Sequence, residues 1–277
     1  MPELPEVETV RRGLEPHLLG RRIESFRARV SKLRFPLDAE AIRTWCLQRP
    51  VTGLQRRGKF LVVELDACRA IILHLGMTGE FRVCSDQTPF RKHEHLDWTL
   101  SDGMSWRYKD TRRFGFVKTA LLPGKGQSPS ELNHLGPEPL TSAFSADWLY
   151  RVTRNRKRST KNLLLDQTIV AGIGNIYASE GLFRARLHPE RTGDSLTYKE
   201  CKTLVSETKT VLREALTAGG STISDYRQID GTEGRFHHNF LVYDKAGTVC
   251  PRCGAGSSIV RLVLAGRSSY LCPGCQH

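Results

Sequence analysis

The chain opens with Met1-Pro2-Glu3-Leu4-Pro5-Glu6-Val7-Glu8-Thr9, and this stretch predicts the start of a helix. Proline is favoured in the first helical turn, and acidic residues suit the positive end of a helix. An apolar stripe with steps of three or four residues follows: Leu4, Val7, Val10, Leu14 and Leu18. This spacing is typical of an amphipathic helix with one buried face.

The same stretch also predicts chemistry at the chain terminus. A small second residue favours removal of the initiator methionine, which would leave Pro2 as a terminal secondary amine. An α-amino group titrates at about 7.7–8.0, against about 10.4 for lysine, so part of it is unprotonated at neutral pH. Such an amine can condense with an aldehyde-like sugar carbon to give an iminium. Glu3 lies beside it and could supply or accept protons. A helix that begins at residue 3 would hold the amine rigidly, so the two interpretations are compatible.

Composition indicates a globular chain with an affinity for polyanions. The 277 residues, 39% of them hydrophobic, suffice for two domains with their own cores. No apolar stretch approaches the roughly 20 residues of a membrane span, and no signal segment opens the chain. The formal net charge is +13. Nucleic acid is therefore the first candidate partner, although charge alone is a weak signal.

The eight cysteines form two groups. Four are scattered and are interpreted as ordinary intracellular thiols: Cys46, Cys68, Cys84 and Cys201. The other four form two C-x-x-C pairs separated by an 18-residue spacer: Cys250, Cys253, Cys272 and Cys275. This spacing predicts one tetrahedral zinc ion, and four protein ligands make the site structural rather than catalytic. A pair of disulfides is the alternative, which the absence of an export signal disfavours.

The hydrophobic pattern predicts an α+β chain of two domains. Residues 22–30 and about 51–122 are rich in short strands with turn signals, such as Gly58-Lys59 and Ser101-Asp102-Gly103. This pattern suggests an antiparallel sandwich or barrel. Helices are then predicted at Ala146–Asn155, Asn162–Gln167, Asn175–Arg184 and Tyr198–Ala218.

The predicted domain boundaries follow from these elements. Residues 1–122 form the first domain, 123–143 a linker rich in Gly, Pro and Ser, and 144–236 the helical domain. Residues 237–277 form the zinc hairpin. The polar stretch 221–236 is predicted to be a mobile loop.

Two segments of the helical region suit phosphate contacts. One is basic, with six cations and no acid between residues 151 and 161: Arg151, Arg154, Arg156, Lys157, Arg158 and Lys161. The other is Ala171-Gly172-Ile173-Gly174-Asn175, whose glycines and following helix start allow close approach of a phosphate. It is not a dinucleotide fingerprint, because no strand–GxGxxG–helix unit surrounds it.

Taken together, these motifs resemble one family over essentially the whole chain. The chain is similar to bacterial formamidopyrimidine-DNA glycosylases, base-excision repair enzymes for oxidised purines. The resemblance is carried by the opening stretch, the four-cysteine finger and these segments: Gln55-Arg56-Arg57-Gly58-Lys59, His74-Leu75-Gly76-Met77-Thr78-Gly79, Lys92-His93-Glu94-His95, Asp110-Thr111-Arg112-Arg113-Phe114-Gly115 and Gly172-Ile173-Gly174-Asn175-Ile176-Tyr177.

The resemblance implies a fold and a way of handling DNA. The expected fold is an N-terminal antiparallel β-sandwich fronted by the first helix, followed by a helix–two-turns–helix domain with a four-cysteine zinc-finger hairpin. DNA would lie across the cleft between the domains. The damaged nucleotide would be flipped out, because a stacked duplex shields the reacting sugar carbon.

The resemblance also assigns roles to individual residues. Pro2 would be the Schiff-base nucleophile, Glu3 the proton donor for base release, Lys59 the general acid/base of β-elimination, and Arg267 the phosphate grip that assists δ-elimination. The expected DNA contacts are His74, His93, Arg112, Arg156, Lys161 and Asn175. Met77, Arg112 and Phe114 would fill the void left by the flipped base. From the residues alone, Met77 and Phe114 would instead be core residues and Lys59 a turn lysine.

Two departures from the family pattern affect these assignments. Thr111 stands where the family often has proline, which is expected to change only the rigidity of the loop. Lys161 follows Thr160, where an aliphatic residue is usual. The basic segment, which includes Arg156 and Lys161, therefore matches the family pattern only in part.

Two alternatives remain open from sequence alone. One is a glycosylase of the same fold that acts on oxidised pyrimidines; the other is a non-catalytic zinc-finger DNA-binding protein. The expected partner is double-stranded DNA with an oxidised purine or an abasic site. The expected state is a monomer in the bacterial cytoplasm, associated with the nucleoid and with no membrane contact.

Overall fold

The computed structural model describes residues 1–221, 234 and 236–277 of the chain. The chain forms two compact units. The first comprises Met1–Asn133 with the described residues of Ala218–Arg235, and the second comprises His134–Thr217 and Phe236–His277. The domain boundaries expected from sequence stay a prediction. The mobile loop predicted at 221–236 falls almost entirely outside the described residues.

The first unit begins with helix α1, Leu4–Leu18. Glu3 and Glu6 form a reciprocal capping box in which the Glu3 N–H donates to Glu6 Oε2 at 2.9 Å. This pairing satisfies backbone groups that the first turn would otherwise leave without partners. The apolar stripe predicted from sequence is buried along its whole length, which confirms the amphipathic helix.

Two four-stranded antiparallel sheets make up most of the first unit. One sheet has the order β1-β6-β7-β5, formed by Ile23–Ala28, Glu94–Leu100, Met104–Asp110 and Gly79–Ser85. The other has the order β2-β3-β4-β8, formed by Val51–Arg57, Phe60–Leu65, Arg69–His74 and Phe116–Leu121. The predicted β-sandwich with a leading helix is therefore confirmed.

One hydrophobic core joins the sheets to α1. It contains the α1 stripe from Val7 to Leu18, Leu61 and Val63 from β3, and the tryptophans of β6 and β7. The rings of Trp98 and Trp106 stack with centroids 4.4 Å apart. Aromatic side chains bury a large apolar area, so this pair contributes strongly to the core.

A short helix, α2 (Ala39–Cys46), was not predicted from the sequence. Asp38 caps it, and its carboxylate accepts a hydrogen bond from the Ala41 N–H at 2.9 Å. The helix is only eight residues long and buries just Ile42 and Cys46. Its apolar pattern is therefore too short to stand out in the sequence.

Four helices form the scaffold of the second unit: α3 (Ala146–Thr153), α4 (Thr160–Leu165), α5 (Asn175–Arg184) and α6 (Tyr198–Thr217). Helix α3 ends earlier than predicted because Arg154 has an extended ψ of 141° and Asn155 has a positive φ of 60°. Helix α4 begins earlier than predicted, because the Ser159 hydroxyl accepts from the Asn162 N–H and caps it.

Two short hairpins complete the second unit. They pair β9 (Val249–Cys250) with β10 (Gly254–Ser258), and β11 (Val260–Leu264) with β12 (Arg267–Leu271). The β11–β12 turn consists of Ala265 and Gly266, both at positive φ, as a two-residue hairpin turn of type I′ requires. Among the described residues, no helix has the length and apolar character needed to cross a membrane.

Candidate active site and nucleic-acid interface

The residues singled out from sequence fall into two sets. The first unit carries Pro2, Glu3, Lys59, His74, Met77, His93, Arg112 and Phe114. The second unit carries Arg156, Lys161, Asn175, Arg267 and the four paired cysteines.

The first turn of α1 is buried although it lies at a chain end. Pro2 is buried and only 2% of Glu3 is exposed. Besides the Glu3 N–H, the Glu6 carboxylate accepts hydrogen bonds from the backbone N–H and hydroxyl of Ser221, at 2.8 and 3.0 Å. The buried Glu6 carboxylate therefore links the start of the helix to Ser221 and holds the chain terminus in place.

Lys59 lies on the tight turn that joins β2 to β3. Gly58 takes a φ of +57°, and the Arg56 guanidinium donates to its carbonyl at 3.0 Å. Arg56 also pairs with Glu8 of α1 at 3.2 Å, which ties this hairpin to the helix that begins beside Pro2. Lys59 is only 6% exposed, so it is not the freely solvated lysine that a surface turn would present.

His74 ends β4, where it pairs with Phe60 across the β3–β4 ladder. Burial, followed by the nearby charges of Lys59 and Arg34, lowers its pKa from 6.5 to about 4. The ring is thus neutral at pH 7. Its Nδ1 atom accepts a hydrogen bond from the Gly76 N–H at 3.1 Å, so the proton resides on Nε2. That N–H can donate to an acceptor such as a phosphate oxygen.

Met77, Arg112 and Phe114 project from two neighbouring turns, and we call them the wedge residues. Met77 is 40% exposed and Phe114 44%, so neither is the core residue that its apolar side chain would predict. The Arg112 guanidinium carbon lies 4.7 Å from the centre of the Phe114 ring, a cation–π contact. The wedge residues therefore form one exposed cluster.

A cleft of about 710 Å³ runs beside the wedge residues. Its lining includes the start of the chain and several cations: Met1, Lys32, Leu33, Arg34, His74, Gly76, Met77, Arg112, Arg113 and Phe114. Lys32 and Arg34 were not singled out from sequence. The only available signal was the alternating cations in Ser31-Lys32-Leu33-Arg34. The cleft brings the terminus and the wedge residues to one positively charged surface.

His93 occupies the loop before β6, apart from that cleft lining. It is partly exposed and has a φ of +67°, while its carbonyl accepts from the Asp110 N–H at 3.1 Å. Lys92 next to it is exposed. This conformation presents consecutive cationic and imidazole side chains at one loop, as a duplex contact would require.

The basic segment of the second unit is partly neutralised. Lys157 pairs with Asp194 and Arg158 with Asp166, both at 2.7 Å. Arg154 donates to backbone carbonyls within the unit. Arg156 is exposed, and no ion pair involves it in the part of the chain that the structure describes. Within this segment the structure therefore favours Arg156, together with the likewise exposed Arg151, as a phosphate contact.

Lys161 lies inside the unit, where it holds the β11–β12 hairpin. It is 1% exposed and donates to the Ser268 carbonyl at 2.8 Å and the Ser269 hydroxyl at 2.7 Å. Asn175, at the start of α5, also donates to the Ser268 carbonyl, at 2.9 Å. The two side chains thus fix the strand immediately after the exposed Arg267. The role of Lys161 as a DNA contact stays a prediction, but its burial favours a supporting role.

The four paired cysteines converge at the base of the hairpins. Their sulfur atoms all lie within 4.8 Å of one another. Cys250 and Cys275 are 4.0 Å apart, and Cys253 and Cys272 are 3.7 Å apart. A tetrahedral zinc ion with Zn–S bonds of about 2.3 Å requires sulfurs about 3.8 Å apart, whereas a disulfide requires about 2.05 Å. The geometry fits one structural zinc ion and not the disulfide alternative.

Family models match three successive parts of the chain. Residues 1–117 match the formamidopyrimidine-DNA glycosylase N-terminal domain, and residues 135–227 match the helix–two-turns–helix (H2TH) domain of the same enzymes. Residues 247–277 match a zinc finger found in formamidopyrimidine-DNA glycosylase and isoleucyl-tRNA synthetase.

Individual proteins are similar over the full length. A formamidopyrimidine-DNA glycosylase of Laribacter hongkongensis is 44% identical over 276 residues, covering 100% of both chains. A mutant Lactococcus lactis enzyme in complex with a Fapy-dG containing DNA has a TM-score of 0.89 at 32% identity, with 100% of both chains covered. The Lactococcus lactis enzyme bound to an abasic site containing DNA gives 0.88 at 32% identity, with 99% of both chains covered.

The neutral imidazole of His74 should make folding sensitive to acid. Between pH 6.5 and 4 the unfolded chain binds a proton here that the folded chain does not, so stability falls as pH drops through this window. Between pH 7 and pH 5, the free energy of unfolding of the unsubstituted chain should therefore fall by about 1–2 kcal/mol more than that of His74→Gln. Urea unfolding at both pH values measures the difference. His17→Gln, at an exposed histidine of α1, is the control and should change nothing.

The burial of Lys161 predicts a cost in stability when its ammonium group is removed. Lys161→Met removes the ammonium that donates to the buried Ser269 hydroxyl and leaves the Ser268 carbonyl with Asn175 as its side-chain donor, which together cost about 1–3 kcal/mol. The matched control is Lys157→Met, whose side chain is 87% exposed. Thermal unfolding should show a clear decrease for Lys161→Met alone. Equal melting temperatures for the two variants would contradict the supporting role.

Proposed function

The chain belongs to the formamidopyrimidine-DNA glycosylase family, and we propose how its residues remove oxidised purines and cut the strand at the abasic site. The observation that carries the proposal is the fixed, buried first turn of α1 at a cationic cleft lined by Met1, Arg34 and His74. A non-catalytic DNA-binding protein would have no use for a chain terminus immobilised in this way.

The first step is nucleophilic attack by Pro2. Removal of Met1 converts its peptide nitrogen into a secondary amine. The amine forms a bond to the anomeric carbon of the damaged nucleotide as the glycosidic bond breaks and the base leaves with the bonding electrons. Glu3 supplies the proton that neutralises the departing base. The amine proton is then transferred to the ring oxygen as the C–O bond of the sugar ring breaks, which gives the cationic Schiff base, an iminium without a proton on nitrogen.

Lys59 and Arg267 serve the elimination steps. The iminium withdraws electrons and makes the adjacent sugar C–H acidic, so Lys59 can remove that proton as the phosphate on the 3′ side leaves. Lys59 is buried on the turn of the hairpin that Arg56 and Glu8 hold, which supports a fixed position for its side-chain nitrogen, and the neutral amine is the form that accepts the proton. Arg267, exposed on the β11–β12 hairpin, grips the phosphate and assists the second, δ-elimination.

The remaining assigned residues bind and open the duplex. His74, His93, Arg156 and Asn175 contact phosphates, and Lys161 belongs to the same DNA-binding set either directly or by supporting the hairpin. The wedge residues fill the void left by the flipped nucleotide. Arg112 reads the base opposite, because its planar guanidinium can donate hydrogen bonds to cytosine acceptors. The protein acts on double-stranded DNA as a monomer in the bacterial cytoplasm, and one structural zinc ion shapes the finger.

Covalent chemistry at Pro2 can be trapped. Borohydride should reduce the iminium on an 8-oxoguanine duplex, and peptide mapping should locate the adduct on Pro2. The control is a chain with an uncleavable extension before Pro2, which should form no adduct and cut no strand. An adduct on a lysine in a chain that retains Met1 would contradict the mechanism.

Zinc should be coupled to DNA binding through the hairpin. Cys272→Ser removes one of four thiolate ligands, so the chain should lose metal and hold Arg267 less firmly. Metal content and lesion-duplex affinity should fall together. Cys68→Ser, at an exposed cysteine outside the finger, is the control and should retain both. A Cys272→Ser chain without zinc that still binds and cuts lesion DNA normally would refute the coupling.

A further inference from the structure

A buried carboxylate lies beneath the wedge residues. Asp110, the last residue of β7, is 0% exposed. Its side chain accepts hydrogen bonds from the Thr78 hydroxyl at 2.6 Å, the Gly115 N–H at 2.8 Å and the Tyr108 hydroxyl at 3.1 Å. These three donors are neutral groups, and within the described part of the chain no ion pair involves Asp110, so hydrogen bonds stabilise this buried acid. Burial and the adjacent Asp110 raise the pKa of Tyr108 well above 10, which keeps its hydroxyl a donor.

Thr78 connects the two turns that carry the wedge residues. Its hydroxyl donates to Asp110 and accepts a hydrogen bond from the Arg112 N–H at 3.0 Å. Met77 immediately precedes Thr78, whereas Arg112 and Phe114 lie on the turn after β7. The Thr78 hydroxyl thus connects the turn that carries Met77 to the backbone of the turn that carries Arg112. The Asp110 carboxylate accepts hydrogen bonds from both turns, through Thr78 and Gly115.

Three glycines let the turns pack backbone to backbone around this network. A Cβ atom on Gly115 would lie 1.9 Å from the Tyr108 hydroxyl, and one on Gly79 would lie 2.5 Å from it. A Cβ on Gly76 would lie 2.4 Å from the Gly115 nitrogen, and Gly76 also needs a φ of +62°. A side chain at any of these positions would collide with the backbone of a neighbouring residue, so the close packing of the two turns requires glycine here.

We propose that Thr78 and Asp110 are positioning residues that lock the two turns into one preorganised wedge. The proposal rests on the role of Met77, Arg112 and Phe114 proposed above. Flipping a nucleotide costs a few kcal/mol of unstacking, and a wedge that had to become ordered at the same moment would add its own entropy cost. A rigid wedge avoids that second cost and aims Arg112 at the base opposite.

The test compares Thr78→Val with Thr78→Ser in single-turnover reactions. Valine keeps the shape but removes the hydrogen bond to Asp110 Oδ1 and the acceptor of the Arg112 N–H, whereas serine keeps the hydroxyl. Thr78→Val should slow excision of 8-oxoguanine opposite cytosine by about tenfold to a hundredfold. It should also weaken the preference for cytosine over adenine opposite the lesion. Cleavage of a ready-made abasic duplex should change little, because no stacked base must be extruded. Thr78→Ser should behave like the unsubstituted chain.

Two further variants complete the comparison. Tyr108→Phe removes one donor to Asp110 and should give a smaller effect in the same direction. Thr99→Val is the matched control, because it removes a hydroxyl that bonds Ser25 at 2.8 Å on the β1–β6 pair, outside the wedge network. It should leave all substrates unaffected.

The outcomes separate this proposal from the proposed function. Equal slowing of Thr78→Val on lesion and abasic duplexes would overturn the positioning role, as would unchanged excision and opposite-base preference. Failure of the unsubstituted chain to form a borohydride adduct would refute the Pro2 mechanism. The Thr78 variants could then still be compared by their binding to duplexes in which the lesion lies opposite cytosine or opposite adenine. There, loss of the cytosine preference in Thr78→Val alone supports the wedge, and its retention contradicts it.

Discussion

The immobilisation of the first turn of α1 is the constraint on which the candidate site depends. Chain ends are usually frayed, and a frayed amine would spend little time beside a reacting carbon. Here the stripe that begins at Leu4 anchors the helix in the core of the sandwich, and the Glu6 carboxylate holds the Glu3 N–H and Ser221. Through Glu8 and Arg56 the same helix also fixes the hairpin of Lys59. The proposed nucleophile, Pro2, and the proposed base, Lys59, therefore depend on the same helix for their positions.

Charge is distributed unevenly over the chain. A net charge of +13 attracts a polyanion, but several cations form ion pairs with acidic residues of the same chain, as Lys157 and Arg158 do. His74 remains neutral because it is partly buried near Lys59 and Arg34, and so it serves as a hydrogen-bond donor and not as a cation. In the proposed function, attraction of DNA at long range and contact with its phosphates at short range thus depend on different side chains.

Sequence predicted the elements with strong local signals and missed those that depend on the folded chain. The α1 stripe and the strands of the sandwich follow regular hydrophobic patterns, and the cysteines follow a known motif spacing. The structure contains the elements that these signals predict. Helix α2 is too short to show a period. Thr78 and Asp110 lie 32 residues apart, and nothing in either segment indicates that their side chains meet. The burial of Lys161 was likewise invisible, because a lysine in a basic segment normally faces solvent.

The glycines beneath the wedge have an evolutionary consequence. Positions 76, 79 and 115 exclude any side chain, so substitution there disrupts the support of both turns. Positions 77, 112 and 114 are exposed at the tips and accept other side chains without loss of that support. In the role proposed for the wedge residues, exchanging these three side chains would alter which lesion or opposite base is preferred, while the glycines and Asp110 beneath them stay constant. Divergence in specificity within this architecture requires few substitutions and little cost in stability.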